Sequence, residues 1–233
     1  MHDGSGQLGT VNVVTGVVDL IGSTGISMTD IAFDPSGHLF GISFSGLYSI
    51  NPATAAASFI GNHSIAGGNA LVFASDGTLY GAGHSTSSLF KIAPSTGAST
   101  SLGNMGFNSG GDLAFNNGHL YLASTGNQLV DVNVSNPPDT FAVGGFGVSN
   151  VFGLATGDDN VLYAVANTTI YTVDTATGLA TKRIDFGGAG LGSAGGQTFI
   201  SEAAVVPEPE TYTMLLAGLG LIAAVWRHKQ RAA

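Results

Sequence analysis

Short runs of alternating hydrophobic and polar residues fill the chain up to residue 204, and one pattern returns about every 41 residues. In each copy an apolar strand leads into a turn of Asp, Ser or Asn with Gly, and a second strand ends in Leu-Phe or Leu-Tyr. The four copies are residues 31–41, 71–81, 113–121 and 154–163. Their aromatic residues Phe40, Tyr80, Tyr121 and Tyr163 lie 40, 41 and 42 residues apart. Because the turn residues tolerate positive φ, each copy predicts a β-hairpin.

A third strand with apolar and polar residues in alternation follows each hairpin. These strands are residues 47–51, 89–93, 129–133 and 170–174. Three of the four end in Asn or Asp (Asn51, Asn133 and Asp174), whose side chain can cap the turn that follows, and a weaker fourth strand comes next in each copy. Four strands in 40–42 residues is the period of a β-propeller blade, so the pattern predicts an all-β propeller.

The two ends of this repeat region each contain part of a fifth blade. Residues 8–16 match a third strand and its turn, with Val11 equivalent to Ile50, and residues 195–202 match the start of a first strand. Pairing of the two ends would close the ring and remove its free edges. The second strand of this blade should lie just before Gly4, where the chain starts. Neither that strand nor a signal peptide is visible, which suggests N-terminal truncation or a misplaced start codon and makes five blades a minimum.

Charge and cysteine content exclude several classes of function. Residues 1–206 contain three basic groups against thirteen acidic ones, a formal charge of −10, so the repeat domain should repel nucleic acid. The chain has no cysteine, which excludes disulfides and thiol chemistry. The sequence contains no phosphate-binding loop, nucleophile elbow or His-Glu-x-x-His motif, and we expect no cofactor.

The last 29 residues differ from the rest. Val206, Pro207, Glu208 and Pro209 precede an uncharged run over residues 211–226. A basic cluster of Arg227, Lys229 and Arg231 follows it. As a helix the run would be about 24 Å long, somewhat less than the ~30 Å hydrocarbon core of a bilayer, and Trp226 with the basic stems can extend it. The alternative is a buried amphipathic helix, although this run is apolar on every face. The positive-inside rule predicts a cytoplasmic C-terminus.

This order of a Pro-Glu-Pro tripeptide, an apolar helix and a basic end resembles the PEP-CTERM sorting signal of Gram-negative bacteria. The resemblance implies recognition by exosortase, export across the inner membrane, and a place at the cell surface or in the extracellular matrix after processing. A similar tail is also known as an ice-binding protein C-terminal domain, a label that does not imply ice binding. We therefore divide the chain into a repeat domain, 1–204, and a sorting signal with a transmembrane helix, 205–233.

Two pairs of residues are candidates for a site in the propeller. His63 and His84 fall on loops of adjacent blades at the channel mouth, where they suit a metal or acid–base site, or are simply two loop histidines. Asp30 and Asp112 occupy equivalent positions at the head of first strands, near the axis. There they could hold a cation, or hydrogen-bond neighbouring amides.

These observations leave two functions open. The first is a non-catalytic binding or structural module at the cell surface, whose partner is exopolysaccharide, as in a biofilm matrix, or another envelope protein. The second is a lactonase- or lyase-like enzyme with its site at the channel mouth. Catalysis needs titratable groups within hydrogen-bond reach of each other, so contact of either histidine with Asp30 or Asp112 would favour the enzyme.

Overall fold

The computed structural model describes residues 1–202, and these form five four-stranded antiparallel sheets, the blades of a β-propeller. Blade I contains β4 (Asp30–Phe33), β5 (Leu39–Ile42), β6 (Gly46–Ile50) and β7 (Ala57–Asn62). Blade II contains β8 (Gly68–Phe73), β9 (Leu79–Gly83), β10 (Thr86–Ile92) and β11 (Ser99–Asn104). Blade III contains β12 (Ser109–Asn116), β13 (His119–Ser124), β14 (Gln128–Val132) and β15 (Phe141–Gly145), with a 3₁₀ turn at Pro137–Asp139. Blade IV contains β16 (Val151–Thr156), β17 (Leu162–Ala166), β18 (Thr169–Val173) and β19 (Ala180–Asp185).

The fifth or closure blade joins the two ends of the chain, as the repeat predicted. Its strand order is β20 (Ala194–Gly196), β1 (His2–Asp3), β2 (Gln7–Val11) and β3 (Val18–Ser23). His2 lies between Gly196 on one side and Leu8 on the other. The prediction that this blade lacks its second strand is therefore wrong for His2 and Asp3, which form part of that strand. The strand was missed because two residues are too few to show an alternating pattern.

The hydrophobic core consists of five clusters, and each fills the space between two neighbouring blades. Between blades I and II, for example, Ile42 and Leu47 pack against Leu71, Leu79 and Ile92. Equivalent clusters lie at the other four interfaces, including the two that flank the closure blade. Each blade therefore buries both faces only against its neighbours, as propeller geometry requires.

The predicted turn chemistry is also confirmed. The hairpin turns between first and second strands place Gly37, Gly77 and Asn117 at positive φ. At the ends of third strands, Asn12 Oδ1 accepts hydrogen bonds from the amides of Val14 and Thr15, both at 2.9 Å. Three of the other four equivalent positions cap their turns in the same way, and they are Asn51, Asn133 and Asp174. Blade II has Ala93 at this position.

The C-terminal sorting signal, with its predicted transmembrane helix 211–226, lies outside the described residues. Over residues 1–202, none of the secondary structure is a helix with the length and apolar character that a membrane crossing needs.

Candidate functional site

The two faces of the disc carry different connections. Loops that join second to third strands, and fourth strands to the next blade, form the upper face around the mouth of the axis. The hairpin turns that join first to second and third to fourth strands form the lower face. In propellers the rigid strands hold the upper loops in place, so side chains on this face and along the axis are the candidates for a site.

At the axis, Asp30 and Asp112 are both fully buried and each links its own blade to the next. Asp30 Oδ1 accepts the amide of Ile31 at 2.7 Å, and Oδ2 accepts that of Leu71 in blade II at 2.6 Å. Asp112 repeats this geometry, with the amides of Leu113 and Leu154 both at 2.7 Å. Their carboxyl oxygens are thus occupied by backbone amides of the inner strands.

The structure also brings these two carboxyls together. Burial raises the pKa of Asp30 well above its ordinary value, and the hydrogen bond to Asp112 opposes that rise. Burial likewise raises the pKa of Asp112, and the charge of Asp30 together with the shared hydrogen bond raises it further. Two carboxyls can share a hydrogen bond only when one of them is protonated, so Asp30 and Asp112 hold a proton between them.

A third carboxyl, that of Glu202, closes the lower part of the axis. Its Oε1 accepts the amide of Thr156, and its Oε2 accepts the hydroxyl of Thr198, both at 3.3 Å. Burial, and then the nearby charge of Asp112, raise the pKa of Glu202 well above its ordinary value. Sequence reasoning did not assign Glu202 to the axis, because the residue follows a strand and has no equivalent in the other blades.

His63 and His84 lie beside two adjacent glycines, Gly68 and Gly67, on the upper face. A side chain on Gly67 would strike the His84 ring, and one on Gly68 would lie 2.6 Å from Cε1 of His63. Both imidazoles bond to backbone: His63 Nε2 donates to Ser43 O at 3.0 Å, and His84 Nδ1 lies 3.0 Å from Gly67 O. Burial lowers the pKa of His63, which fits a neutral ring with Nδ1 accepting the amide of Ile65 at 3.2 Å.

The structure therefore brings the two aspartates together and places the two histidines beside neighbouring glycines, without joining one pair to the other. Hydrogen bonds from either histidine to a carboxyl are absent from the described part of the chain. Nor do any three His, Asp or Glu side chains within residues 1–202 form a group that could hold a metal ion.

An exposed phenylalanine lies beside His84. Phe44, on the loop between β5 and β6, is 57% exposed, and its ring meets the ring of His84 edge to face at 5.3 Å. Asn108 Nδ2 donates to His84 O at 3.0 Å and so supports the loop. An exposed phenyl on a loop braced in this way suits contact with a ligand. The sequence did not single out Phe44, because nothing in one sequence distinguishes it from the aromatic residues that pack inside the blades.

Comparisons with known proteins identify two parts of the chain. A family described as a repeat of unknown function (DUF6923) matches residues 5–146. The PEP-CTERM protein-sorting motif matches residues 205–231, which confirms the sorting signal and implies exosortase-dependent export to the cell envelope. A search of the curated proteins found no match.

Solved structures agree with the fold. A chain of a nidogen/laminin complex superposes with a TM-score of 0.58 at 14% identity, covering 82% of this chain and 76% of that one. A gluconolactonase from Xanthomonas campestris gives 0.56 at 16% identity, covering 78% and 68%. Hydrazine synthase from Kuenenia stuttgartiensis gives 0.50 at 15% identity and covers 68% of this chain, which spans about half (49%) of that one. At these identities the similarity is one of fold.

Proposed function

The chain belongs to the DUF6923 family of repeats, and we propose that it is an exported surface protein whose propeller binds a partner without catalysis. The observation that carries this proposal is the PEP-CTERM motif at residues 205–231, directly after a closed ring. Exosortase is the processing partner. Before processing, the helix 211–226 would hold the protein in the inner membrane with its C-terminus in the cytoplasm.

The chemistry of the axis supports a binding role. Asp30, Asp112 and Glu202 are enclosed and bonded to backbone amides, so they hold strands together. His63 is bonded at both ring nitrogens. A general acid–base pair needs titratable groups that face a space where a substrate can bind. These groups instead form hydrogen bonds with the protein backbone.

The upper face around Phe44 and His84 is the proposed contact surface. Aromatic rings and amide groups, with few charges, suit the faces and hydroxyls of sugar rings, so exopolysaccharide of the cell matrix is the ligand we propose. The second candidate partner is a folded envelope protein, which would bind the same face.

Processing can be tested in a Gram-negative host that expresses the matching exosortase. We expect the wild-type chain to lose its C-terminal segment, measured by intact mass, and to appear at the surface or in the medium. A variant with Pro207, Glu208 and Pro209 all changed to Ala should keep its full mass and stay with the inner membrane. Equal processing of both chains would contradict the proposed route.

Binding can be tested on the exported protein with purified host exopolysaccharide as the probe. We expect Phe44→Ala to weaken retention on the immobilised polymer by at least about tenfold, the loss of roughly 1.4 kcal/mol. Phe59→Ala is the matched control, because Phe59 is 58% exposed and meets Tyr48 edge to face at 5.5 Å on an outer strand. Equal retention of both variants would contradict a polysaccharide site on the upper face.

The alternative, a lactonase- or lyase-like enzyme, rests on the fold that the chain shares with the gluconolactonase. An assay of lactone opening separates the two functions. We expect no turnover of gluconolactone above the uncatalysed rate. Turnover that disappears in His63→Ala or Asp112→Asn would favour the enzyme.

A further inference from the structure

The two faces of the ring differ in charge. Within residues 1–202, none of the ten loops that form the upper face contains Asp, Glu, Lys or Arg. The nine hairpin turns that form the lower face also lack Lys and Arg over the same residues, but they carry six aspartates. These are Asp34, Asp76, Asp139, Asp158, Asp159 and Asp174. The loops around Phe44 and His84 are therefore uncharged, and the opposite face is acidic.

Two carboxyl groups end strands beside the upper loops, and both are already hydrogen-bonded. In the closure blade, Asp3 Oδ1 accepts the hydroxyl of Ser5 at 2.7 Å, and Oδ2 accepts the amide of Gly192 at 2.8 Å. Asp185 lies in blade IV, on the other side of the ring from Phe44, and accepts the hydroxyls of Thr168 and Thr169. A ligand that contacts the upper loops of blades I and II therefore meets neutral groups.

This distribution of charge selects among the chemical classes of polysaccharide. A polymer of uronic acids or sulfated sugars needs Lys or Arg to pair its anions, and a repeat domain with a formal charge of −10 would repel it. A polymer with free amino groups would bind the six aspartates of the lower face more readily than the upper loops. An uncharged polysaccharide needs only aromatic surface and neutral hydrogen-bonding groups.

His84 supplies a neutral hydrogen-bonding group beside the ring of Phe44. Its Nδ1 lies 3.0 Å from Gly67 O, and a carbonyl oxygen can only accept, so the hydrogen is on Nδ1. In a neutral imidazole with that tautomer, Nε2 is an acceptor. The side chain of His84 is exposed, and its ring is fixed by the edge-to-face contact with Phe44. An apolar ring and a hydroxyl acceptor are thus held side by side.

We propose that the ligand of the upper face is an uncharged polysaccharide. The ring of Phe44 packs on the apolar face of one sugar, and Nε2 of His84 accepts a hydrogen bond from a hydroxyl of the same or the adjoining sugar. This inference rests on the binding function proposed above and defines the chemical class of the ligand.

Host exopolysaccharide, separated by anion exchange into an uncharged and an acidic fraction, tests this proposal on the exported protein. We expect immobilised uncharged polymer to retain the protein at least about tenfold better than acidic polymer. Retention should hardly change between about 50 and 500 mM NaCl, because there is no ion pair to screen. Reduction of the acidic fraction's carboxyl groups to alcohols should restore binding, since it removes the charge and keeps the linkages.

The outcomes separate this inference from the function on which it rests. Stronger retention on the acidic fraction that is lost in Phe44→Ala would overturn the neutral class of ligand and leave polysaccharide binding in place. Absence of Phe44-dependent retention on every polymer would overturn both, and would leave the upper face to a protein partner.

A single added charge tests the role of the uncharged loops. Ser45 is exposed and follows Phe44, so Ser45→Lys should raise retention on the acidic fraction about threefold to fivefold, the effect of one exposed ion pair. Retention on the uncharged fraction should not change. Ser58→Lys, on the exposed outer strand β7, adds the same charge elsewhere and should have no effect. An equal gain for the two variants would contradict exclusion by the upper loops.

His84→Phe tests the hydroxyl acceptor, because it keeps an aromatic ring beside Phe44 and removes both ring nitrogens. We expect retention on the uncharged fraction to fall roughly threefold to tenfold, the loss of one hydrogen bond. His38→Phe is the matched control, since His38 is an exposed histidine on the lower face. Retention of His84→Phe equal to that of the wild-type chain would overturn the assigned role of Nε2.

Discussion

The inner strands of this ring are joined in two different ways. Blade I is joined to blade II, and blade III to blade IV, by carboxylates that accept amides of the next first strand, Asp30 with Leu71 and Asp112 with Leu154. The closure blade meets blade I through a glycine instead. A Cβ on Gly196 would collide with Oδ1 of Asp30 and would lie 2.8 Å from its Cα. The first kind of seam has hydrogen bonds from amides to a carboxyl group. The second depends on close approach of two backbones alone, an approach that the blade III–IV seam also shows at Gly111 against Phe152.

The difference follows from what each seam has to do. Blades I and III can place an acid at the head of the first strand because the equivalent residues of blades II and IV are small, Ala70 and Gly153. At the closure seam, β20 has to pack beside Asp30, whose carboxyl group is already hydrogen-bonded. Only a residue without a side chain fits there, and substitutions should therefore act very differently on the two seams.

The largest effect is expected at the glycine seam. Gly196→Ala places a methyl group against backbone that cannot move, so we expect a loss of about 3–5 kcal/mol in the free energy of unfolding, with partial opening of the ring. Gly4→Ala in the same blade is the control, because a Cβ there has no atom within 4 Å. Urea denaturation measures both. Equal midpoints for the two variants would contradict close approach at Gly196.

At the carboxylate seam, Asp112→Ala leaves the buried amides of Leu113 and Leu154 without an acceptor. We expect a loss of about 3 kcal/mol in the free energy of unfolding, since each orphaned amide costs roughly 1–3 kcal/mol. Asp112→Asn keeps the shape and one acceptor, so it should lose about half as much. A larger loss for Asn than for Ala would show that the acid is not held by these amides.

Dependence on pH should separate the seams further. Burial raises the pKa values of Asp30, Asp112 and Glu202 in the folded state, so the folded chain binds more protons than the unfolded chain above about pH 4. Their contribution to the free energy of unfolding is therefore fully present at low pH and is lost as the pH rises towards the folded pKa values. Burial lowers the pKa of His2 to about 4 and lowers that of His63, which acts in the opposite direction, so the informative quantity is the difference between the wild-type chain and Glu202→Gln. The urea midpoint of the wild-type chain should fall relative to that of Glu202→Gln as the pH rises above about 4.5. A difference that does not change with pH would contradict the prediction.

The smallest effect is expected at the outer rim of the closure seam. Arg183 Nε donates to Val13 O at 2.7 Å, and its guanidinium carbon lies 5.8 Å from the centre of the Tyr163 ring. The hydrogen bond joins blade IV to the closure blade, whereas the ring contact lies within blade IV. Arg183 is exposed, so Arg183→Ala should cost roughly 0.5–1 kcal/mol. The neighbouring Lys182→Ala removes an exposed charge whose nearest acid, Asp185, lies 3.8 Å away. Thermal midpoints should fall for Arg183→Ala and hardly change for Lys182→Ala.

Most of the ring could be predicted from the sequence because a propeller repeats one local rule. The Leu-Phe or Leu-Tyr hairpins and the asparagine caps recur in phase, and each blade needs only its neighbours. The closure was predicted from the same phase, by matching Val11 to Ile50. The prediction failed at the strand His2–Asp3, because two residues are too few to show the repeated pattern.

The site was harder to predict, since its parts come together only through ring closure. Asp30 and Asp112 are 82 positions apart and could be matched as equivalents, but the shared proton depends on how far the first strands converge. The place of Glu202 depends on the turn after β20, which has no counterpart in sequence. The exposure of Phe44 depends on one short loop.

The point at which the chain leaves the ring has a consequence for how the protein is presented. Residue 202 lies on the lower face, and Phe44 lies on the opposite one. A protein held by its C-terminal segment would therefore have its hairpin turns facing the membrane and its aromatic surface facing the surroundings.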